Sequence, residues 1–357
     1  MPDSEKDQKT VLPVPSSPSW PEEKQQMLKV IEKYAAVCRN LEAQNGKLRE
    51  MVERMRERAP KLDDLFTHDR EGVTFADVGG LGQIVDQLQA FQYGIVYSGV
   101  YEQFAVPPPK GLMMHGSPGT GKTMLARAIS NELEAMFAEI RTSKFVTKWV
   151  GEAESNFENI IVQCENYYRE HGIKVVLFLD EAEQLLSKRG DRLHSPVFDR
   201  CQDVLLSYMD GINSTQGIIY VAATNRIDTI DSAILRPGRF DFVLEIPKPD
   251  KKGVYDIMMK QIAFREKKAK REIYMLDDPE ALACRMYSFG ATGADIAEVL
   301  RLASERKVRQ VIEYDGDGVV DPSYVYVDQH DVEAVIKGYA QRVTVDKQRR
   351  RIGFAVE

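Results

Sequence analysis

The segment that decides the fold is a run of eight residues in which glycines alternate with small polar residues and a lysine. It reads Gly116-Ser117-Pro118-Gly119-Thr120-Gly121-Lys122-Thr123. An apolar run at residues 111–115 precedes it, and a helical pattern starting at Met124 follows it. The run fits G-x-x-x-x-G-K-[ST], whose glycines let the backbone wrap closely enough for its N–H groups to contact phosphate oxygens. It therefore predicts a phosphate-binding loop between a strand and a helix.

The same segment predicts how a nucleoside triphosphate would be held. A lysine in this position reaches the β- and γ-phosphates, and the hydroxyl that follows it ligates Mg²⁺. In this chain these residues are Lys122 and Thr123. The amino-terminal end of the next helix adds partial positive charge beside the phosphates. We therefore expect residues 117–124 to bind ATP together with Mg²⁺.

A second strand-like run ends in two carboxylates. Residues 175–179 are all apolar, and Asp180 and Glu181 follow directly. In open α/β sheets, ligands bind at the carboxyl ends of the strands, which is where such a pair would lie. Downstream of a phosphate-binding lysine, the pattern predicts that Asp180 holds Mg²⁺ and that Glu181 is the general base for the attacking water.

The wider pattern alternates strands with helices and then changes. Strand-like runs, separated by helical segments, occur at residues 111–115, 175–179 and 217–222. After Pro249 the segments are helical, at residues 251–270, 278–287, 293–313 and 329–341. The alternation predicts a parallel sheet with helices on both faces. We expect an α/β fold of the P-loop NTPase type, with a large ATP-binding domain at 75–247 and a small helical lid domain at 248–340.

The flanking segments do not show this alternation. Residues 1–21 are rich in proline, serine and charge, and we expect them to be disordered. In residues 22–58, apolar side chains recur at alternating intervals of four and three, which predicts a coiled coil. A single amphipathic helix packed on the following domain is the alternative. Residues 59–74 are predicted to be a linker, and 341–357 a basic tail.

Composition restricts the class of protein. The 357 residues are 43% hydrophobic and carry a net charge of −7, which suits a globular core and disfavours nucleic-acid binding. The four cysteines lack zinc-ligand spacing. No apolar run approaches the roughly 20 residues that span a bilayer. We therefore expect a soluble, intracellular protein, located in the cytoplasm and without a membrane partner.

With these motifs in place, the sequence resembles the AAA family of AAA+ ATPases from Phe75 to about Tyr339. Residues 77–81 (DVGGL) look like the segment that lines the adenine, so the resemblance assigns Asp77 and Gly79 to nucleotide binding. Residues 290–296 (GATGADI) resemble the family's G-x-x-G-A-D-[IL] signature, which places Gly293 and Ala294 beside the sugar and base. Glu183 stands where the family often has an aspartate.

The resemblance also implies roles at the γ-phosphate. Residues 221–225 (VAATN) resemble the strand whose terminal asparagine, here Asn225, senses the γ-phosphate and helps to orient water. Residues 235–241 (LRPGRFD) look like the arginine-finger motif, in which Arg236 and Arg239 reach the neighbouring subunit's site. A finger supplied in trans is worth roughly 10³–10⁵ in rate in comparable enzymes. The resemblance therefore implies a homo-oligomeric ring, expected to be a hexamer, with residues 210–212 (DGI) as an inter-subunit signalling turn.

One further motif concerns the use of the ATP. Residues 148–152 (KWVGE) resemble the family's first pore loop, in which an aromatic and an aliphatic residue grip an extended polypeptide. These are Trp149 and Val150. A tryptophan between a lysine and the Val-Gly-Glu sequence is a poor candidate for a core residue. The resemblance implies a protein substrate that is threaded through a central pore.

Together these features predict an ATP-driven protein unfoldase or disassembly motor whose coiled coil recruits substrate or an adaptor. A regulatory ATPase of a compartmental protease is one alternative, disfavoured because the linker at 59–74 is too short for the β-barrel that proteasomal ATPases carry there. Their docking tail is also not matched by residues 354–357. A nucleic-acid-associated motor is the second alternative, supported only by the basic cluster at 342–351. An ATP-binding scaffold without turnover would lack Glu181, Asn225 or the fingers.

Overall fold

The structure is a computed structural model that describes residues 72–142, 153–188, 196–210, 217–314 and 325–353, with side chains as far as residue 341. All of them belong to one compact unit, Pro60–Glu357. Several sequence predictions lie outside the described residues. These are the disorder of 1–21, the coiled coil at 22–58, nearly all of the 59–74 linker, the loop with Trp149 and Val150, and the last two residues of the 210–212 turn.

The predicted parallel sheet is confirmed. Its strands are β1 (Gly111–His115), β2 (Met136–Arg141), β3 (Val175–Asp180), β4 (Ile218–Thr224) and β5 (Phe242–Glu245). They are arranged in the order β2-β3-β4-β1-β5, and every pairing is parallel. The two edge strands, β2 and β5, were not predicted. Each has polar residues among its apolar ones, whereas the central strands are continuously apolar because both of their faces are buried.

Helices cover both faces of the sheet. They are α1 (Gly82–Val96), α2 (Ser98–Gln103), α3 (Lys122–Glu132), α4 (Ala153–His171), α5 (Glu183–Leu186) and α6 (Pro196–Met209). Alternate residues of β3 enter opposite cores. Leu177 packs in the cluster that includes side chains of α4 and α6, and Phe178 packs in the cluster with α1 and α3. This period of two is the geometry of a strand that is buried on both sides.

The predicted C-terminal helical region is also confirmed, with a core of its own. It contains α7 (Lys251–Ala269), α8 (Pro279–Ser288), α9 (Gly293–Tyr314), α10 (Gln329–Gly353) and two short parallel strands, β6 (Tyr274–Met275) and β7 (Val327–Asp328). The Asp250 carboxylate caps α7 by accepting from the Gly253 N–H at 2.6 Å. The prediction for the last helix was too short. It continues from 341 to Gly353 because neither proline nor an early glycine cap interrupts the basic segment.

The parallel arrangement positions the candidate site. Because all strands of the large sheet run in one direction, the carboxyl ends of β1, β3 and β4 lie at the same edge. The phosphate-binding loop follows β1, Asp180 ends β3, and Asn225 follows β4. None of the helices in the described residues is both long enough and apolar enough to cross a bilayer.

Candidate nucleotide-binding and catalytic site

A cavity of about 460 Å³ lies where this sheet edge meets the helical region. Nearly all of the predicted nucleotide, metal and catalytic residues line it: Asp77, Gly79, Pro118, Gly119, Thr120, Gly121, Lys122, Thr123, Met124, Asp180, Glu181, Asn225, Gly293 and Ala294. Three predicted residues are not among the lining residues: Ser117, Arg236 and Arg239. The fold therefore gathers residues from segments far apart in the sequence into one cavity.

The loop between β1 and α3 has a backbone that favours glycine. Gly119 has φ +79, and a Cβ there would lie 2.7 Å from the Thr292 hydroxyl of the helical region. Gly121 has φ +97 and is the N-cap residue of α3. The N–H groups of the first helical turn have no acceptor within the helix, and this end of the helix lies at the cavity. Thr120 closes the loop internally by donating its hydroxyl to the Ser117 carbonyl at 2.9 Å. Ser117 therefore contributes its backbone carbonyl to the structure of the loop.

Lys122 is held by three acceptors and is only 8% exposed. Its Nζ donates to Asn225 Oδ1 at 2.8 Å, to the Gly116 carbonyl at 2.9 Å and to the Ser117 carbonyl at 3.1 Å. Burial lowers the pKa of this ammonium, and the nearby carboxylates of Asp180 and Glu183 oppose the shift. The predicted phosphate lysine and the predicted γ-phosphate sensor are therefore joined by a direct hydrogen bond.

The two predicted carboxylates occupy different backbone conformations. Asp180 is the last residue of β3, and its Oδ1 accepts from the Glu181 N–H at 3.0 Å. Burial is the main cause that raises the pKa of Asp180, and the negative charges of Glu139 and Glu181 add to it. Glu181 leaves the strand with φ +53, a left-handed conformation that costs a non-glycine residue of the order of 1–3 kcal/mol. Such strain is typical of functional positions.

The oxygen donors present suit Mg²⁺. The Thr123 hydroxyl and the Asp180 carboxylate line the same cavity. Within the described ranges, no group of three His, Cys, Asp or Glu side chains is arranged to hold a metal ion by itself. Mg²⁺ commonly binds through one or two carboxylates and the substrate phosphates instead of an all-protein cage. Thr123 and Asp180 fit that mode of binding.

Three further residues contact the segments that form the cavity, and the sequence pattern assigns no role to them. Glu183 accepts a 2.7 Å hydrogen bond from the Thr224 hydroxyl, which ties α5 to the end of β4 beside Asn225. Thr142 contacts the backbone after β3. Lys260 of α7 donates to the carbonyls of Ala76 at 2.8 Å and Val78 at 2.7 Å. Only Glu183 has a signal in the sequence, because it stands where the family often has an aspartate. The contacts of Thr142 and Lys260 join residues that are far apart in the sequence, so no local pattern predicts them.

The segment predicted to line the adenine is packed directly on α7. Gly79 approaches so closely that a Cβ there would lie 2.8 Å from Ile257 Cα. The Gly80 N–H donates to Asp256 Oδ2 at 2.8 Å. On the other side, the Ala294 N–H of α9 donates to the Gly119 carbonyl at 3.1 Å. The helical region therefore contacts both the base-side segment and the phosphate loop.

The two predicted finger arginines differ in their surroundings. Arg239 makes a bidentate pair with Asp210, from Nε and Nη2 at 2.7 Å each, and Nη1 donates to the Ala233 carbonyl at 2.6 Å. Hydrogen bonding to Arg239 lowers the pKa of Asp210. Arg236, in contrast, is exposed. Neither arginine lines the cavity of its own chain, so the site in one chain does not include a finger.

Comparison with known proteins agrees with this geometry. The family described as "ATPase family associated with various cellular activities (AAA)" matches residues 112–248. A Micrococcus luteus protein named "AAA ATPase forming ring-shaped complexes" is 35% identical over 211 residues, which cover 57% of this chain and 36% of that protein. The Sulfolobus acidocaldarius "Protein SAV" is 33% identical over 240 residues, 67% of this chain and 29% of its own length. The chain thus spans about a third of these relatives, and it belongs to the AAA family of ATPases.

Proposed function

We propose that this protein binds Mg²⁺ and ATP in the cavity and hydrolyses ATP to ADP and phosphate. The observation that carries the proposal is that Lys122, Thr123, Asp180, Glu181 and Asn225 line one cavity. They come from three places at the carboxyl edge of the sheet, namely the start of α3, the end of β3 with the residue after it, and the residue after β4. Phosphoryl transfer depends on positioning and on electrostatic stabilisation, and this set contains a group for each task.

The roles follow from the chemistry of each group. The α3 amino terminus and Lys122 bind the phosphates, and Thr123 with Asp180 would hold Mg²⁺, which neutralises charge that develops on the phosphate oxygens. Glu181 takes a proton from the attacking water. Asn225 orients that water, and it accepts a hydrogen bond from Lys122, which also binds the phosphates. A γ-phosphate in the cavity would compete with Asn225 and the loop carbonyls for the Lys122 N–H groups.

The complete site is proposed to require a second copy of the chain. Arg236 is exposed and lies outside the cavity, which suits a residue that acts on a neighbouring subunit. The named relative from Micrococcus luteus forms ring-shaped complexes. We propose a homo-oligomeric ring of the same kind, with six subunits as the expected number. The domain boundaries at 75–247 and 248–340 and the cytoplasmic location remain predictions.

The proposed use of ATP is protein remodelling. Trp149 and Val150 would grip an extended polypeptide in the pore, and the 22–58 segment would recruit substrate or an adaptor. The support is the resemblance of residues 148–152 to a pore loop and the acidic charge of the chain, −7, which disfavours a nucleic-acid substrate. A regulatory ATPase of a compartmental protease is the alternative within the same class of motor.

One experiment tests hydrolysis and assembly together. Purified wild type, Glu181→Gln and the surface control Glu170→Gln are compared for ATP binding, ATPase rate and mass in solution. We expect Glu181→Gln to bind ATP and form a ring while its turnover falls by about 10²–10⁴, the typical contribution of a general base. Glu170→Gln, a change on the exposed end of α4, should match wild type. Wild-type turnover in Glu181→Gln would refute the assigned mechanism.

A separate variant tests threading. Trp149→Ala should still form rings and hydrolyse ATP but should no longer unfold a tagged model protein. The replacement of the chain's other tryptophan, Trp20→Ala, is the matched control and should leave unfolding intact. Full unfolding activity in Trp149→Ala would show that the pore assignment is wrong, and binding to nucleic acid would then be measured.

A further inference from the structure

A buried hydroxyl lies against the backbone of the catalytic turn. Thr142 directly follows β2 and is 2% exposed. Its Oγ1 donates to the Glu181 carbonyl at 2.7 Å and lies 3.1 Å from the Asp180 carbonyl. Thr142 is not among the residues that line the cavity, so it does not contact the nucleotide directly. An effect on the chemistry would therefore act through the backbone of Asp180 and Glu181, and the shorter contact is with Glu181.

The register of the sheet explains how a side chain beyond β2 contacts this turn. Strands β2 and β3 pair residue by residue, and the last pair is Arg141 with Asp180. The chain then leaves the strand, because Glu181 adopts φ +53. The Glu181 carbonyl no longer joins the backbone ladder with β2. It accepts from the Gln184 N–H of the following turn at 3.2 Å and from the Thr142 hydroxyl at 2.7 Å, and the hydroxyl is the contact that it keeps with the chain beyond β2.

The turn is held from several directions at once. On the β4 side, the Ala182 N–H donates to the Ala223 carbonyl at 2.9 Å. Within the turn, the Glu181 N–H donates to Asp180 Oδ1 at 3.0 Å. On the β2 side, the Thr142 hydroxyl donates to the Glu181 carbonyl at 2.7 Å, and the same carbonyl accepts from the Gln184 N–H at 3.2 Å. A left-handed non-glycine residue persists only where its surroundings over-determine the conformation, and these contacts are such surroundings.

The backbone conformation of Glu181 sets the direction of its side chain. Rotation about φ or ψ changes the direction of the Cα–Cβ bond and thus moves the carboxylate relative to Lys122 and Asn225. A misplacement of about 1 Å in a catalytic group can reduce a rate by around a hundred-fold. A hydroxyl that fixes this conformation therefore affects the chemical step more strongly than it affects nucleotide binding.

We propose that Thr142 is a positioning residue for ATP hydrolysis, whose hydroxyl holds the left-handed turn so that the Glu181 carboxylate faces the γ-phosphate. The inference rests on the proposed function, because it assumes that Glu181 is the general base. It also separates the effect of Thr142 from that of the phosphate-binding residues. Thr142 acts on turnover through Glu181, whereas Lys122 and Thr123 act on the bound phosphates themselves.

The test compares variants of the full chain that differ by one group. Thr142→Val keeps the shape of the side chain and removes the hydroxyl, whereas Thr142→Ser keeps the hydroxyl. Ser130→Ala is the control, because the Ser130 hydroxyl is equally buried and donates to the Ala135 carbonyl at 2.9 Å, at the far end of α3. Turnover, KM for ATP and the Kd of ADP are measured for each variant, with thermal unfolding as a check on folding.

We expect Thr142→Val to lower kcat by about ten- to a hundred-fold, while KM and the Kd of ADP stay within about two-fold of wild type. Thr142→Ser should recover turnover to within about three-fold of wild type, because a single hydroxyl is the group that matters. Ser130→Ala should leave kcat unchanged. If Thr142→Val does not fold, Thr142→Ala takes its place with the same expectation. The proposal is overturned if kcat is unchanged, if serine fails to rescue it, or if kcat and the Kd of ADP worsen together.

A double variant separates this proposal from the proposed function. When Glu181→Gln is already present, Thr142→Val should cause no further loss of turnover, because the group it positions has gone. A further independent loss would overturn the positioning role. If Glu181→Gln itself keeps wild-type turnover, the proposed mechanism fails and the role of Thr142 fails with it. If Glu181→Gln lowers turnover and Thr142→Val leaves it unchanged, only the role of Thr142 is wrong.

Discussion

The two halves of the cavity are built in different ways. On the sheet side, functional groups are fixed by polar side chains. Lys122 bonds Asn225, Thr224 bonds Glu183, and the turn at Glu181 is strained. On the helical side, most contacts are close approaches of the backbone at glycine and hydrogen bonds to backbone carbonyls. The approach of Gly79 to Ile257 is an example.

The difference separates chemistry from binding. Charged groups in restrained positions suit a reaction in which charge develops at a defined place. Close backbone packing suits the recognition of a flat base by shape. We therefore expect changes on the sheet side to act mainly on turnover, and changes on the helical side to act mainly on affinity.

The largest predicted effect comes from outside both halves. Arg236→Ala should reduce the turnover of the assembled protein by about 10³-fold or more, because a finger in trans stabilises charge on the γ-phosphate.

Arg239→Ala should act differently, because its guanidinium is already bonded to Asp210. It should lower the free energy of unfolding by about 1 kcal/mol, since the Asp210 partner is partly exposed.

Single-turnover rates and denaturant unfolding of both variants distinguish the two arginines. A mixture of Arg236→Ala with Glu181→Gln provides the control, because some interfaces in a mixed ring then combine an intact finger with an intact base. Recovery of part of the turnover in the mixture is expected. No recovery, with mixed rings demonstrated, would contradict action in trans.

On the sheet side, Lys122→Met should reduce turnover by about 10²–10³-fold, the usual effect of removing a donor that stabilises transition-state charge. The matched control is Lys174→Met. Lys174 is also a partly buried lysine whose pKa is lowered by burial, but it donates to the Ile95 carbonyl at 3.2 Å, away from the cavity. Steady-state kinetics of the two variants test whether location, and not the loss of a buried lysine, determines the effect.

On the helical side, Lys260→Met should weaken ADP binding by about ten-fold, which is 1.4 kcal/mol, and change kcat at saturating ATP by less than about two-fold. The physical reason is that Lys260 holds the segment at Ala76 and Val78 against α7 and contributes no group to the γ-phosphate. Lys252→Met, an exposed change on the same helix, is the control. Calorimetry measures the Kd of ADP for both variants. If Lys260→Met lowers kcat and leaves the Kd of ADP unchanged, the expectation that the helical side acts on affinity is wrong.

The smallest predicted effect concerns the support of the helical half. The Tyr339 hydroxyl of α10 donates to Asp295 Oδ1 at 2.8 Å, and Asp295 Oδ2 accepts from the Thr292 N–H at 2.8 Å. Tyr339→Phe should lower the free energy of unfolding by about 1 kcal/mol. Denaturant unfolding measures this change, and kcat should not move. An unchanged free energy of unfolding would show that the hydrogen bond is dispensable.

The same cluster predicts a pH dependence. Burial acts to raise the pKa of Asp295, but hydrogen bonds from Thr292 and Tyr339 outweigh it, so the pKa lies below its ordinary value. A carboxyl with a depressed folded-state pKa stabilises the protein above its unfolded pKa of about 3.9 and loses that contribution as the pH falls through the folded value. Below pH 4, the difference in stability between wild type and Tyr339→Phe should therefore shrink.

The sequence predicted the parts of the fold that depend on local pattern. Continuous apolar runs identified β1, β3 and β4, and the glycine-lysine segment located the phosphate loop. The edge strand β2 was missed because Glu139 and Arg141 interrupt its apolar pattern. Both side chains take part in ion pairs, since Glu139 accepts from Arg127 and Arg141 at 2.8 and 2.7 Å.

The motifs of the site were predictable from the sequence, but the residues that hold those motifs in place were not. Thr142, Lys260 and Glu183 act across 39, 182 and 41 residues of sequence respectively, and no local spacing reports such contacts. The difference between Arg236 and Arg239 also depends on a distant partner, Asp210. The roles of Trp149 and Val150 and of the 22–58 segment remain predictions, outside the described residues.

The left-handed turn at Glu181 also has an evolutionary consequence. Glycine adopts this conformation freely, whereas it costs an L-residue about 1–3 kcal/mol. A chain with glycine at 181 would be relieved of that strain and would lack the proposed general base. Under the proposed mechanism, selection for stability alone would favour an inactive protein, and glutamate at this φ angle exchanges stability for activity.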